Sequence, residues 1–110
     1  MTPEHFISVG VTEEIPLLIG GMEDQKEFRE AILEEKGTLD SDLIEREVVD
    51  VAKKLITKNP DIGALVLECS DLPPYAHAIQ KEVNLPIFDF TTMIQYVHTE
   101  LVRREFQGFM

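Results

Sequence analysis

The chain has 110 residues, 44% of them apolar, which suffices for one small domain with a modest core and argues against wholesale disorder. Ten basic side chains stand against 21 acidic ones, a net charge of −11 that repels phosphate backbones and anionic lipid and so argues against nucleic-acid or membrane partners. A single cysteine excludes an internal disulfide and a cysteine-rich zinc site, and with no basic, apolar leader after Met1 the expected compartment is a reducing cytoplasm.

In chain order, Thr2 caps and Pro3 opens a short helical turn carrying Phe6 and Ile7. Ile15-Pro16-Leu17-Leu18-Ile19 reads as a short strand, which Pro16 restricts to a sheet edge or a strand start and Gly20-Gly21 ends. From Asp24 to Lys36 the apolar positions Phe28, Ala31 and Ile32 share one helical face, Glu23 to Glu35 supply a solvated acidic surface, and Gly37 stops the helix. Asp40 caps the next helix, whose Leu43, Ile44, Val48, Val51, Ala52, Leu55 and Ile56 follow the three-and-four spacing of a core stripe until Asn59-Pro60-Asp61 breaks it.

Ile62–Leu67 is apolar at consecutive positions, the pattern of a strand buried in a parallel sheet. A helix from Pro73 to about Val83 follows, with Asn84 suited to a left-handed cap and Pro86 preventing continuation. Pro86–Phe90 forms a third strand, and a last helix runs from about Thr91 to Arg104 with Met93, Ile94, Val97 and Leu101 inward. Arg103-Arg104 suit its carboxyl end, and the tail Phe106–Met110 is loose unless a partner holds it. Helices alternating with short apolar strands predict a three-layer α/β fold with a small parallel sheet. Three strands make a meagre sheet with exposed edges, so part of the fold is expected from another chain or another half.

The chemistry concentrates on Gly63-Ala64-Leu65-Val66-Leu67-Glu68-Cys69-Ser70-Asp71-Leu72-Pro73-Pro74-Tyr75-Ala76. Cys69 falls between the carboxyl end of a strand and the amino end of a helix, the edge where open α/β sheets bind ligands and where amides favour a thiolate. Against that stands a cysteine packed as a small apolar residue. The Ser70 hydroxyl and the amides of Ser70, Asp71 and Leu72 can hold a substrate carboxylate; Asp71 is better suited to cap the helix, and for Ser70 the two roles are compatible. Glu68 is a general base, or raises the thiol pKa by like-charge repulsion, or is simply an outward-facing or hydrogen-bonded residue, and Asp89 either faces the site or caps the last helix. His5, His77 and His98 are scattered without zinc-ligand spacing to Cys69; a Cys69–His77 nucleophilic pair is a further reading, and Gly20-Gly21 lacks a phosphate-loop pattern.

The cysteine stretch, followed by Leu85-Pro86-Ile87-Phe88-Asp89, resembles the aspartate/glutamate/hydantoin racemase superfamily, and Thr2-Pro3-Glu4-His5, Pro60-Asp61-Ile62-Gly63-Ala64 and Leu101-Val102-Arg103-Arg104 extend the likeness over nearly the whole chain. The resemblance implies a cofactor-free, metal-free isomerase of the aspartate/glutamate type, in which thiols from two pseudo-symmetric halves exchange the Cα proton of a small amino acid. Cys69 corresponds to the catalytic thiol of the second half and Ser70 to a hydroxyl residue that binds the substrate carboxylate. Asp71 stands where glutamate racemases carry a histidine, which puts glutamate in doubt as substrate. The superfamily also includes a decarboxylase and a maleate isomerase. The first-half cysteine has no counterpart here. The resemblance thus implies one incomplete half: residues 1–84 as the second-half domain with the cysteine motif, and 85–110 as a strand and helix that return to a missing first half. Alone it should be inactive as a racemase, and a missing half, self-association or a role as a non-catalytic partner-binding remnant is expected.

Overall fold

In a computed structural model of the protein, residues 3–12 and 14–108 are described. The expected Thr2 cap and the end of the tail, Phe109 and Met110, lie outside them. The elements are α1 (Pro3–Ser8), α2 (Lys26–Phe28) running into a π-helical turn (Arg29–Leu33), α3 (Ser41–Lys58), β1 (Leu65–Leu67), a 3₁₀ turn (Pro73–Tyr75), α4 (Ala76–Val83), β2 (Ile87–Asp89) and α5 (Phe90–Leu101). The class is α/β with a small parallel sheet, as expected.

The core is built on α3. Its stripe of Ile44, Val48 and Ala52 is buried at four-residue spacing, one face of a helix. Asp40 caps it by accepting from the Leu43 amide at 3.1 Å, and the Asn59 amide closes the other end on the carbonyls of Leu55 and Ile56. Against that stripe pack Phe28, Leu67, Leu72, Tyr75 and the fully buried Ile79. α4 ends at Asn84, whose φ of 54° supplies the left-handed cap that an amide side chain tolerates.

The α2 segment is held from outside itself. Gln25 gives no side-chain cap, and the Glu47 carboxylate of α3 accepts from the Glu27 and Phe28 amides at 2.8 and 2.9 Å. A carboxylate on free amides at a helix start satisfies donors the helix leaves unpaired. This pins Phe28, 3% exposed, into the core. The expected single helix over 24–36 is thus an α-helical turn plus a π-helical one that ends at Leu33 with Glu34 as its C-cap, and Glu35 is left-handed at φ 50°, so the chain leaves the helix before the expected stop at Gly37.

The sheet has two strands among the described residues, parallel and in register: Leu65 opposite Ile87, Val66 opposite Phe88, Leu67 opposite Asp89. The expected strand at Ile15–Ile19 is irregular chain instead, with Ile15, Leu17, Leu18 and Ile19 about half exposed. An apolar run makes a strand only when a partner pairs with it. The segment instead runs across α3 at Gly20, where a Cβ would come within 3.3 Å of Val51 Cγ1. β1 is not buried on both faces as its composition suggested. Leu67 is buried while Val66 is 74% exposed, and Phe88 shares that open face.

α5 departs furthest from expectation. Met93, Ile94, Val97 and Leu101, expected inward, are all exposed, and α5 buries no residue. The Cα radius of gyration is 16.8 Å, against about 13 Å for a compact domain of this size. No helix among the described residues is long and apolar enough to cross a membrane.

Candidate functional site

Parallel pairing in register brings the carboxyl ends of β1 and β2 to one edge of the sheet. Beyond β1 the chain bends through Glu68–Leu72 into the 3₁₀ turn, and beyond β2 it enters α5 at once. Between them lies a cleft of about 540 Å³ with Ser70, Pro73 and Pro74 on one side and Asp89, Phe90, Thr91, Thr92 and Gln95 on the other. A smaller hollow, about 210 Å³, sits at Ala31, Glu35 and Leu39 and carries no thiol or histidine.

Cys69 is half-buried at this edge, immediately before Ser70. Its thiol donates to Asp71 Oδ2 at 3.7 Å. Burial pushes the thiol pKa up, and the Asp71 carboxylate, by charge and by accepting the S–H, and the more distant Glu68 charge push it the same way. The Asp71 backbone N–H favours the thiolate but does not prevail. The expected amide-stabilised thiolate is therefore corrected: free Cys69 is a thiol at neutral pH. The reason lies in the turn after it. Prolines bring no N–H, the first helical structure is the short 3₁₀ turn, and α4 opens only at Ala76.

Asp71 does not cap a helix, since the residue before the 3₁₀ turn is Leu72 and no side chain caps it. Ser70 is exposed and lines the cleft, and Glu68 is exposed. Asp89 fills both roles considered for it. Its Oδ1 accepts from the Thr92 amide at 2.7 Å while Thr92 Oγ1 accepts from the Asp89 amide at 3.1 Å, a reciprocal cap on α5. It is also 8% exposed and lines the cleft. His77 and His98 are exposed on α4 and α5, and the hydrogen bond of the Cys69 thiol goes to Asp71, so no Cys69–His77 pair forms. Among the described residues no cluster of His, Cys, Asp and Glu suits a metal ion. Sequence reasoning missed Phe90, Thr91, Thr92 and Gln95. The strand-end rule that singled out Cys69 applies equally to the residues after β2.

The chain is 32% identical over 84 residues to dimethylsulfoniopropionate lyase 7 of Emiliania huxleyi (strain CCMP1516), a match covering 73% of this chain and 24% of that protein. It is 36% identical over 52 residues to dimethylsulfoniopropionate lyase 5 of the same organism, covering 47% of this chain and 10% of the relative. A dimethylsulfoniopropionate lyase of Durusdinium sp. clade D is 35% identical over 51 residues, covering 46% and 17%. The matches thus span between a tenth and a quarter of these curated relatives. No family model and no solved structure matches. These relatives correct the racemase resemblance: they are named lyases, not amino-acid racemases, isomerases or decarboxylases. The physical reason is that a thiol at a strand end marks an edge where a reaction can be built, and many reactions share such an edge.

Proposed function

We propose that this chain is the thiol-bearing part of a lyase that acts on dimethylsulfoniopropionate, and that it works in the cytoplasm. One coincidence supports the reading: the relatives are named for an elimination, and the chain's single thiol stands next in sequence to Ser70, which lines the cleft. Racemisation needs proton carriers on opposite faces of one carbon. Elimination needs one base.

In dimethylsulfoniopropionate the sulfonium is on C3 and the carboxylate is C1. The Cys69 thiolate takes a proton from C2, the C2–H electron pair becomes the C2=C3 double bond, and the C3–S bond breaks with its electrons on sulfur. Dimethyl sulfide leaves neutral and needs no acid, acrylate remains, and the proton is on Cys69. The difficulty is the weak acidity of C2–H, so negative charge passing onto the carboxylate needs fixed donors. The Ser70 hydroxyl, which lines the cleft and follows Cys69 in sequence, is the donor assigned to it. Burial first, and then the Asp71 and Glu68 charges, keep the free thiol protonated, so the rate rises with pH.

The exposed apolar side of α5 leaves the cleft open to water, which weakens each polar contact in it. The partner assigned to that side is further protein, a second copy or the longer polypeptide typical of the relatives. Alkylation of Cys69 by iodoacetamide tests the assignment of substrate. Dimethylsulfoniopropionate should protect the thiol saturably and L-glutamate should not. Equal protection by both, or none by either, overturns the reading.

A further inference from the structure

We infer that Asp89 and Phe90 form an onium subsite that takes a fully alkylated cation in preference to a primary ammonium. This rests on the lyase reading for its link to catalysis, while the geometry is independent of it. Asp89, Phe90, Pro73 and Pro74 lie around one cleft. Asp89 is a carboxylate 8% exposed whose Oδ1 accepts from the Thr92 amide. A buried charge is costly unless countered, and one helix-start amide counters it only in part. Phe90, the next residue, is 41% exposed and lines the same space. An aromatic face attracts a cation that brings no hydrogen-bond donor.

The apolar part of the cleft's lining, Pro73 and Pro74, decides the class of cation. Proline side chains are apolar and accept no hydrogen bond. A sulfonium or quaternary ammonium meets them with methyl groups and loses nothing. A primary ammonium has three N–H donors, and those facing the prolines and the Phe90 ring go unpaired, which is the costly case. The subsite thus selects against the ammonium of an amino acid. With Ser70 next to Cys69, the substrate carboxylate belongs at the Ser70 end and the sulfonium at Asp89–Phe90.

Tetramethylammonium and methylammonium, titrated separately into the whole chain with backbone amide shifts of Phe90–Thr92 read by NMR, test this. Tetramethylammonium should bind saturably and more tightly than methylammonium. Phe90→Leu, which keeps the apolar bulk and removes the ring, should weaken tetramethylammonium about two- to fivefold. Asp89→Asn, which keeps the helix cap, should weaken it about fivefold. Methylammonium binding as tightly, or neither substitution mattering, overturns the subsite. If tetramethylammonium binds as described but dimethylsulfoniopropionate leaves Cys69 unprotected, the subsite stands and the lyase reading falls. If dimethylsulfoniopropionate protects Cys69 equally well in Phe90→Leu and Asp89→Asn, the subsite falls and the lyase reading stands.

Discussion

Replacing Asp71 by Asn should make Cys69 more reactive. The Asp71 carboxylate stands 3.7 Å from the sulfur and disfavours the thiolate both by its charge and by accepting the S–H. Asparagine is nearly the same shape, keeps the backbone N–H that favours the thiolate, and removes the charge. Unit charges about 4 Å apart interact by about 1 kcal/mol in water. The pair opens to solvent, so the aqueous value is the applicable one. This corresponds to a thiolate population about fivefold larger at any pH where the thiol form dominates. The sign follows from the direction of the shift: the carboxylate holds the thiol pKa up, so its removal brings ionisation to lower pH. Iodoacetamide alkylation, followed by intact-mass measurement from pH 7 to 11, should show the variant about fivefold faster at the low end and equal to wild type on the high-pH plateau. An unchanged profile, or slower alkylation at pH 7, would refute the assignment of Asp71 as the group that restrains the thiol.

Other substitutions probe the frame around the site. Ile79→Ala, at a fully buried position against α3, should cost about 2–5 kcal/mol in urea unfolding, and a cost below 1 kcal/mol would mean that α4 is not packed as described. Glu47→Ala leaves the Glu27 and Phe28 amides without their carboxylate, so hydrogen exchange at these amides should quicken at least tenfold; unchanged exchange would deny the cap from α3. The uncovered face of α5 should make the chain self-associate more as salt rises, because a charge of −11 opposes association at low ionic strength and screening removes that opposition. A monomer by sedimentation velocity at both 20 mM and 500 mM sodium chloride would count against that face as a contact surface.

How far the sequence reached depended on whether the cause was local. The α3 helix was legible from Asp40 to Asn59 because cap, stripe and stop are encoded in neighbouring residues. The Asn84 cap was legible for the same reason. Ile15–Ile19 was not, since apolarity cannot say whether a partner strand exists. The face of α5 carried a correct helical period, but periodicity marks an apolar face without saying what covers it. At the site, the position of Cys69 beside a cleft-lining Ser70 followed from the strand-end rule. Its ionisation did not follow, because the sequence offers Asp71 as a carboxylate-binding amide or a helix cap, whereas in space its side chain meets the thiol. The substrate was out of reach, since the same thiol and hydroxyl serve proton transfer on many carboxylates.

Elimination at Cys69 is read directly by proton NMR of the reaction. The chain is incubated at pH 10 with dimethylsulfoniopropionate in one tube and L-aspartate in deuterated water in another, each beside a Cys69→Ser control. Vinyl resonances of acrylate should grow faster with the wild-type chain than with the control, and no deuterium should enter Cα of L-aspartate. Acrylate appearing equally with Cys69→Ser, or deuterium appearing at Cα of L-aspartate, would contradict it.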